Sequence, residues 1–116
     1  MGKIYQNENQ LLLQELISIY HPNTYDWLSY QITKSNILTL HHIIKACDGG
    51  VLTIYNAALL TKKSHRALHI CEHKDFILYN EINEFFKEII RSQAFLEYLQ
   101  KESREYKKVL VKTIYK

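Results

Sequence analysis

Residues 36–72 read NILTLHHIIKACDGGVLTIYNAALLTKKSHRALHICE, and this stretch decides the fold. The run Ile37-Leu38-Thr39-Leu40 ends in two adjacent histidines, His41 and His42, so residues 36–42 read as a strand leading into a loop. Asp48-Gly49-Gly50 turns that loop, because glycine reaches φ > 0 without steric cost. Ala57–Thr61 is a second short apolar run, which the turn folds back beside the first. Ser64 through Cys71 then fits a helix, with His65 and His69 one turn apart on it.

Outside this stretch the pattern is helical. Asn7 or Asn9 is positioned to cap a helix over about 8–20, in which Leu12, Leu13, Leu16, Ile17 and Tyr20 recur at helical spacing. His21-Pro22 stops it, since the residue before proline is pushed out of the α region. Tyr25 to Ser35 is mixed in character, with Trp27 and Tyr30 expected against the core. Asp75 is a cap for a helix that puts Leu78, Ile82, Phe85, Phe86 and Ile89 on one face, and Ser92 is expected to restart a last helix carrying Phe95, Leu96, Leu99 and Tyr106. The C-terminal helices together span about 75–112. Helix, two strands and further helices make an α+β chain, read as a single domain over 1–116.

Composition sets outer bounds. At 116 residues, 47% hydrophobic and 23% charged, the chain is long enough to bury a core without disulfides. A net charge of +3 is a weak argument for any partner. Residues 101–116 hold six Lys/Arg against two Glu, which suits solvated lysines on a terminal helix and also a path for a phosphate backbone. Cys47 and Cys71 form no C-x-x-C pair, which excludes a four-cysteine zinc site and argues against a disulfide framework; both are expected buried or half-buried. Met1–Tyr5 has no apolar leader and no stretch is long enough to span a membrane, so a cytoplasmic chain is expected.

The histidines carry the chemistry. On a helix, His65 and His69 lie on one face about 5–6 Å apart at Cβ, close enough to chelate one divalent ion. Neighbours on a strand point to opposite faces, so His41 and His42 are poorly placed to share that ion and better placed to divide labour. One ligates while the other, as a neutral imidazole, takes a proton from water. Asn56 carries an amide that can clamp the loop and hold the ring of the base histidine.

Taken together, Leu40-His41-His42-Ile43-Ile44-Lys45, Asp48-Gly49-Gly50, Asn56-Ala57-Ala58-Leu59-Leu60-Thr61 and Ser64-His65-Arg66-Ala67-Leu68-His69 resemble the HNH endonuclease motif. The His-His start is similar to the nuclease colicin branch of that family. The resemblance covers about thirty-five residues and implies a ββα-metal (His-Me finger) core, two antiparallel strands and a helix around one divalent cation. It implies metal ligation by His41, His65 and His69, with His42 as general base and Asn56 as the residue that orients it. The C-x-x-C pairs that brace many HNH domains are absent, which leaves the bracing to the helices.

The implied activity is metal-dependent hydrolysis of DNA phosphodiester bonds by a stand-alone bacterial or phage endonuclease, working beside a protein partner or as a homodimer. Lys45, Lys62, Lys63 and Arg66 flank the motif as candidate nucleic-acid contacts. Three imidazoles without a carboxylate favour zinc, nickel, cobalt or manganese over calcium, with Mg, Mn, Zn or Ni as the working cofactor. Two other readings stay open. One is a catalytically idle HNH-fold module that binds DNA or a partner protein around a structural metal. The other is a histidine-only metal sensor, which leaves Asn56 and the basic flank without a role.

Overall fold

In the computed structural model, which describes residues 7–116, Asn7 opens the first helix, α1 (Glu8–Tyr20). Its side chain accepts from the Gln10 amide at 2.8 Å while the Gln10 side chain accepts from the Asn7 amide at 3.1 Å, a reciprocal capping box. His21 closes α1 in the left-handed region, at φ 49°, as the following proline bars a further right-handed turn. The leader reading of Met1–Tyr5 lies outside the described residues.

Two strands, β1 (Leu38–His42) and β2 (Ala57–Thr61), pair antiparallel with His41 opposite Ala58 and His42 opposite Ala57. All five positions of β2 are buried, which explains its unbroken apolar run; a strand covered on both faces has no reason to alternate. β2 runs straight into α2 (Lys62–Lys74), followed by α3 (Phe76–Ser92) and α4 (Glu97–Ile114). The architecture is α+β, with α2 packed against both strands, α3 and α4. Trp27, Phe85, Phe86, Leu59, Leu60 and Leu68 are fully shielded and form the centre of the core. Among the described residues no helix is long and apolar enough to cross a membrane.

Several element boundaries differ from expectation. The strand expected from residue 36 begins at Leu38, because Asn36 is held in a bridge with Thr33 and its side chain donates to the Gln31 carbonyl. The helix expected from Ser64 begins at Lys62 and runs to Lys74. Its early start follows from full satisfaction of its first N–H groups: Lys62 donates to the Ile37 carbonyl, Lys63 to Asn36 Oδ1, and Ser64 to the Thr61 hydroxyl. Ser92 does not restart a helix. Its hydroxyl donates to the Ile89 and Ala94 carbonyls and so ends α3, leaving Phe95 and Leu96 in the connection to α4. Asp75 caps α3 as expected, accepting from the Leu78 amide at 3.0 Å.

The cysteines split. Cys71 is buried, and that burial, followed by the Asp75 charge, pushes its thiol up to about 11; Cys47 is exposed on a short 3₁₀ turn, contrary to the expectation for it. The aromatic residues of the C-terminal helices are mostly core: Tyr79, Phe85 and Phe86 are buried, Phe95 and Tyr106 pack against them, and Tyr98 faces solvent. In the basic tail, Lys107 donates to the Ser29 carbonyl and stands over the Tyr30 ring.

Candidate metal centre

The end of β1 and the first two turns of α2 meet in a cavity of about 260 Å³ lined by Leu40, His41, His42, Lys45, Ala46, His65, His69 and Tyr79. The α2 side of this junction is pinned by Asp26, a residue with no motif or spacing in the sequence to mark it. Asp26 is fully buried, and its carboxylate accepts from the Leu28, Tyr30 and Thr61 amides and from the Ser64 hydroxyl. A carboxylate beside the positive end of a helix is favourable, and here it ties that end to the 26–30 segment. Thr61, its neighbour on β2, caps the helix. His65 therefore has little freedom relative to β1.

The three imidazoles expected as ligands stand close together. Ring centroids are 4.9 Å apart for His65 and His69, 5.5 Å for His41 and His65, and 6.4 Å for His41 and His69. Tetrahedral ligation at a metal–nitrogen distance of about 2.0–2.1 Å separates centroids by about 5 Å, so two of the spacings agree and the third is about 1 Å wide. As they stand, no three His, Cys, Asp or Glu side chains among the described residues are gathered tightly enough to hold an ion. Imidazole nitrogen is a donor type that suits a borderline-soft divalent cation; the spacing as it stands is wider than such an ion needs.

One nitrogen of His41 and one of His65 already have hydrogen-bond partners, and a carboxylate stands near His69. His41 Nε2 lies 2.8 Å from Asn83 Oδ1; the amide oxygen can only accept, so Nε2 carries the proton and Nδ1 keeps the lone pair. His65 Nδ1 lies 2.9 Å from the Thr39 hydroxyl, which itself donates to the Leu60 carbonyl. The hydroxyl proton being engaged, His65 Nδ1 donates and Nε2 keeps the lone pair. Glu72 Oε1 stands 3.7 Å from His69 Nδ1 and favours a proton there. Partners of this kind fix tautomer and ring orientation in metal-binding histidines.

Burial keeps two of the rings, His41 and His65, neutral. His41 is 3% exposed, packed against the Phe86 and Tyr79 rings, and its pKa is lowered to about 4. Burial is the main cause, with the His65, His69 and His42 charges adding to it and the Asn83 bond opposing it. His65 is lowered also, by burial first and then by His69 and His42. A metal ligand must be deprotonated, and these two are so at neutral pH.

His42 follows His41 on the strand, is half-buried, and lines the same cavity from the edge. Asn56 is buried and clamps the loop: Oδ1 accepts from the Ile44 amide at 2.7 Å, and Nδ2 donates to the Ile44 and Val51 carbonyls. Its influence on His42 runs through this backbone and not through a bond to the ring. Gly50 is required for the clamp, since a Cβ there would come within 1.9 Å of the Ile44 carbonyl oxygen.

Of the candidate nucleic-acid contacts, Lys45 lines the cavity and is ion-paired with Glu72, whose carboxyl it holds below the usual range. Lys62, Lys63 and Arg66 are exposed on the first turns of α2 and do not line the cavity. The residues missing from the sequence reading are Asp26, Asn83, Thr39 and Glu72. Only Thr39, two positions before His41, carried a signal, as a polar residue between two leucines. A larger cleft of about 770 Å³ between the 20–25 segment and α4 contains none of these histidines.

Comparison with family models, with curated proteins and with solved structures returned no match for this chain.

Proposed function

We propose that the chain is a metal-dependent endonuclease of the HNH type, hydrolysing DNA phosphodiester bonds at a ββα-metal core formed by β1, β2 and α2. The observation that carries this reading is the shared cavity. His41, His65 and His69 stand together there, the first two hydrogen-bonded at one ring nitrogen and the third 3.7 Å from Glu72, and His42 lines the same cavity. These residues would hold one divalent cation, Zn, Ni, Mn or Mg, which when bound supplies Lewis-acid stabilisation of charge on phosphate oxygens.

His42 takes a proton from the attacking water. General base catalysis of this kind contributes about 10²–10⁴-fold. Asn56 and Gly50 hold the loop that follows His42 closed, fixing where its backbone points. Lys62, Lys63 and Arg66 offer exposed positive charge on the first turns of α2 for flanking phosphates. Lys45 can contribute when it leaves Glu72.

One observation favours a second reading, a non-catalytic module binding DNA or a protein around a structural metal. All three side-chain hydrogen bonds of Asn56 go to loop backbone, so the ring of His42 is not held by it. Supercoiled plasmid separates the two. Nicking in Mg²⁺, Mn²⁺, Ni²⁺ or Zn²⁺ that stops in EDTA supports the enzyme. One zinc bound per chain without nicking in any metal supports the module.

A further inference from the structure

Two cavities adjoin along α4, away from the histidines. The larger, about 770 Å³, has Tyr25, Phe95, Arg104, Lys107 and Lys108 in its walls. The smaller, about 550 Å³, has Tyr98, Lys101 and again Arg104. The two therefore meet at the Arg104 side chain and form one groove.

The charge along this groove is one-sided. Lys101, Arg104, Lys107 and Lys108 line it, and Glu97 is the one acidic side chain among the described residues that does. Glu105 lines neither cavity and pairs with Lys108 at 3.2 Å, and Glu102 also lies outside, its carboxyl raised by burial and then by the Glu88 charge. Ion pairs among the described residues involve Lys45, His69, Lys87 and Lys108, which leaves Lys101 and Arg104 without a carboxylate. Cations at three- and four-residue spacing on a helix repel one another, so this row has a cost that a bound polyanion would remove.

The walls are held in place. Lys107 donates to the Ser29 carbonyl at 3.0 Å, and Ser103 donates to the Trp27 carbonyl at 2.8 Å, which ties α4 to the 27–29 segment. Tyr25 sits in a bridge with Gln31, and the neighbouring Thr24 carbonyl accepts from the Ile32 amide at 2.8 Å. From this fixed backbone its ring is 55% exposed, and that of Tyr98 is 61% exposed. A polyanion alone would account for the cations but not for open aromatic rings beside them. An unpaired nucleic-acid strand offers both phosphates and free base faces, whereas a duplex keeps its base faces stacked on one another.

We propose that the groove along α4 binds single-stranded nucleic acid, with phosphates on Lys101, Arg104 and Lys108 and bases stacked on Tyr25 and Tyr98. Lys101 and Lys108 are about 10 Å apart along the helix axis, which spans more than one nucleotide. This goes beyond the endonuclease reading and does not rest on it, since the groove contains none of the ligand histidines.

The test is fluorescence anisotropy of labelled oligothymidylate, about twelve residues long, titrated with the full chain in EDTA so that no cleavage intervenes. Three phosphate contacts predict that log association constant falls against log salt with a slope of about −2. Arg104→Gln is expected to weaken binding and make that slope shallower by about 0.7. Tyr25→Ala is expected to bind about five- to 150-fold more weakly and Tyr25→Phe about as well as wild type, because stacking needs the ring and not the hydroxyl. Both sites are exposed, and equal urea midpoints confirm intact folding.

Full affinity in either Tyr25→Ala or Arg104→Gln overturns the proposal, as does a wild type that fails to bind the oligonucleotide at low salt. Duplex DNA or polyglutamate bound as tightly as the single strand would also overturn it, by showing that charge alone is recognised. Displacement by thymidine monophosphate at equal nucleotide concentration would make the groove a mononucleotide site and overturn the strand assignment. None of these outcomes bears on metal-dependent nicking.

Discussion

Asn83 accepts a hydrogen bond from His41 Nε2 at 2.8 Å, joining a residue of α3 to the end of β1 forty-two positions earlier. The bond sets the tautomer of the most buried imidazole in the cavity and leaves Nδ1 with the free lone pair. It also supports the shape of the site from a helix that lies outside the strand–strand–helix unit.

Removing that partner is expected to weaken metal binding. Asn83→Leu keeps the volume and deletes the acceptor, and outer partners of ligating histidines are worth about 10–100-fold in metal affinity. Zinc competition against a chromophoric chelator measures it. Unchanged affinity would mean that His41 is not held through Asn83.

Acid is expected to destabilise the metal-free protein through His41. Its folded pKa is lowered from 6.5 to about 4, so between these values the unfolded chain binds a proton that the folded chain refuses. Stability is therefore full above pH 6.5, falls as pH drops toward about 4, and levels below it. The group contributes roughly 3 kcal/mol over that window. His65, lowered also, acts in the same direction. Urea unfolding in EDTA between pH 7.5 and 4 checks this, and saturating zinc is expected to flatten the upper part of the curve.

Asp26 is expected to be among the most sensitive positions in the chain. Asp26→Ala leaves the Leu28, Tyr30 and Thr61 amides and the Ser64 hydroxyl without their acceptor. The loss is about 3–5 kcal/mol, read as a shift in the urea midpoint. Because the same carboxylate anchors the start of α2, metal affinity falls with it.

The two thiols are expected to react differently. Cys47 is exposed and modified quickly by an aromatic disulfide reagent, whereas Cys71, buried and with its thiol raised to about 11, reacts only on unfolding. One fast thiol per chain in buffer and two in denaturant is the expected count.

Much of the local structure was legible in the sequence. Asn7, the His21-Pro22 stop, the two apolar runs and Asp75 each act through neighbours within four residues or through strand pairing, and such signals survive in the chain order. Ser92 misled because a serine can open a helix or close one, and only the Ala94 and Ile89 carbonyls decide which. The histidines were legible as residue types. Their supports were not, since Asp26, Asn83 and Thr39 act across the fold through hydrogen bonds between distant segments. The type of residue 56 suggests both a loop clamp and a hold on the ring of His42; its bonds go to the Ile44 and Val51 backbone, a direction that depends on how the loop closes around Gly50.

The central claim is that His42 acts as a base beside a metal held by its neighbours, and one variant tests it most directly. His42→Ala should bind zinc with wild-type stoichiometry and affinity, yet nick plasmid at neutral pH at least about 100-fold more slowly. Undiminished nicking by this variant, or cleavage lost together with the metal, would contradict the division of labour between His41 and His42.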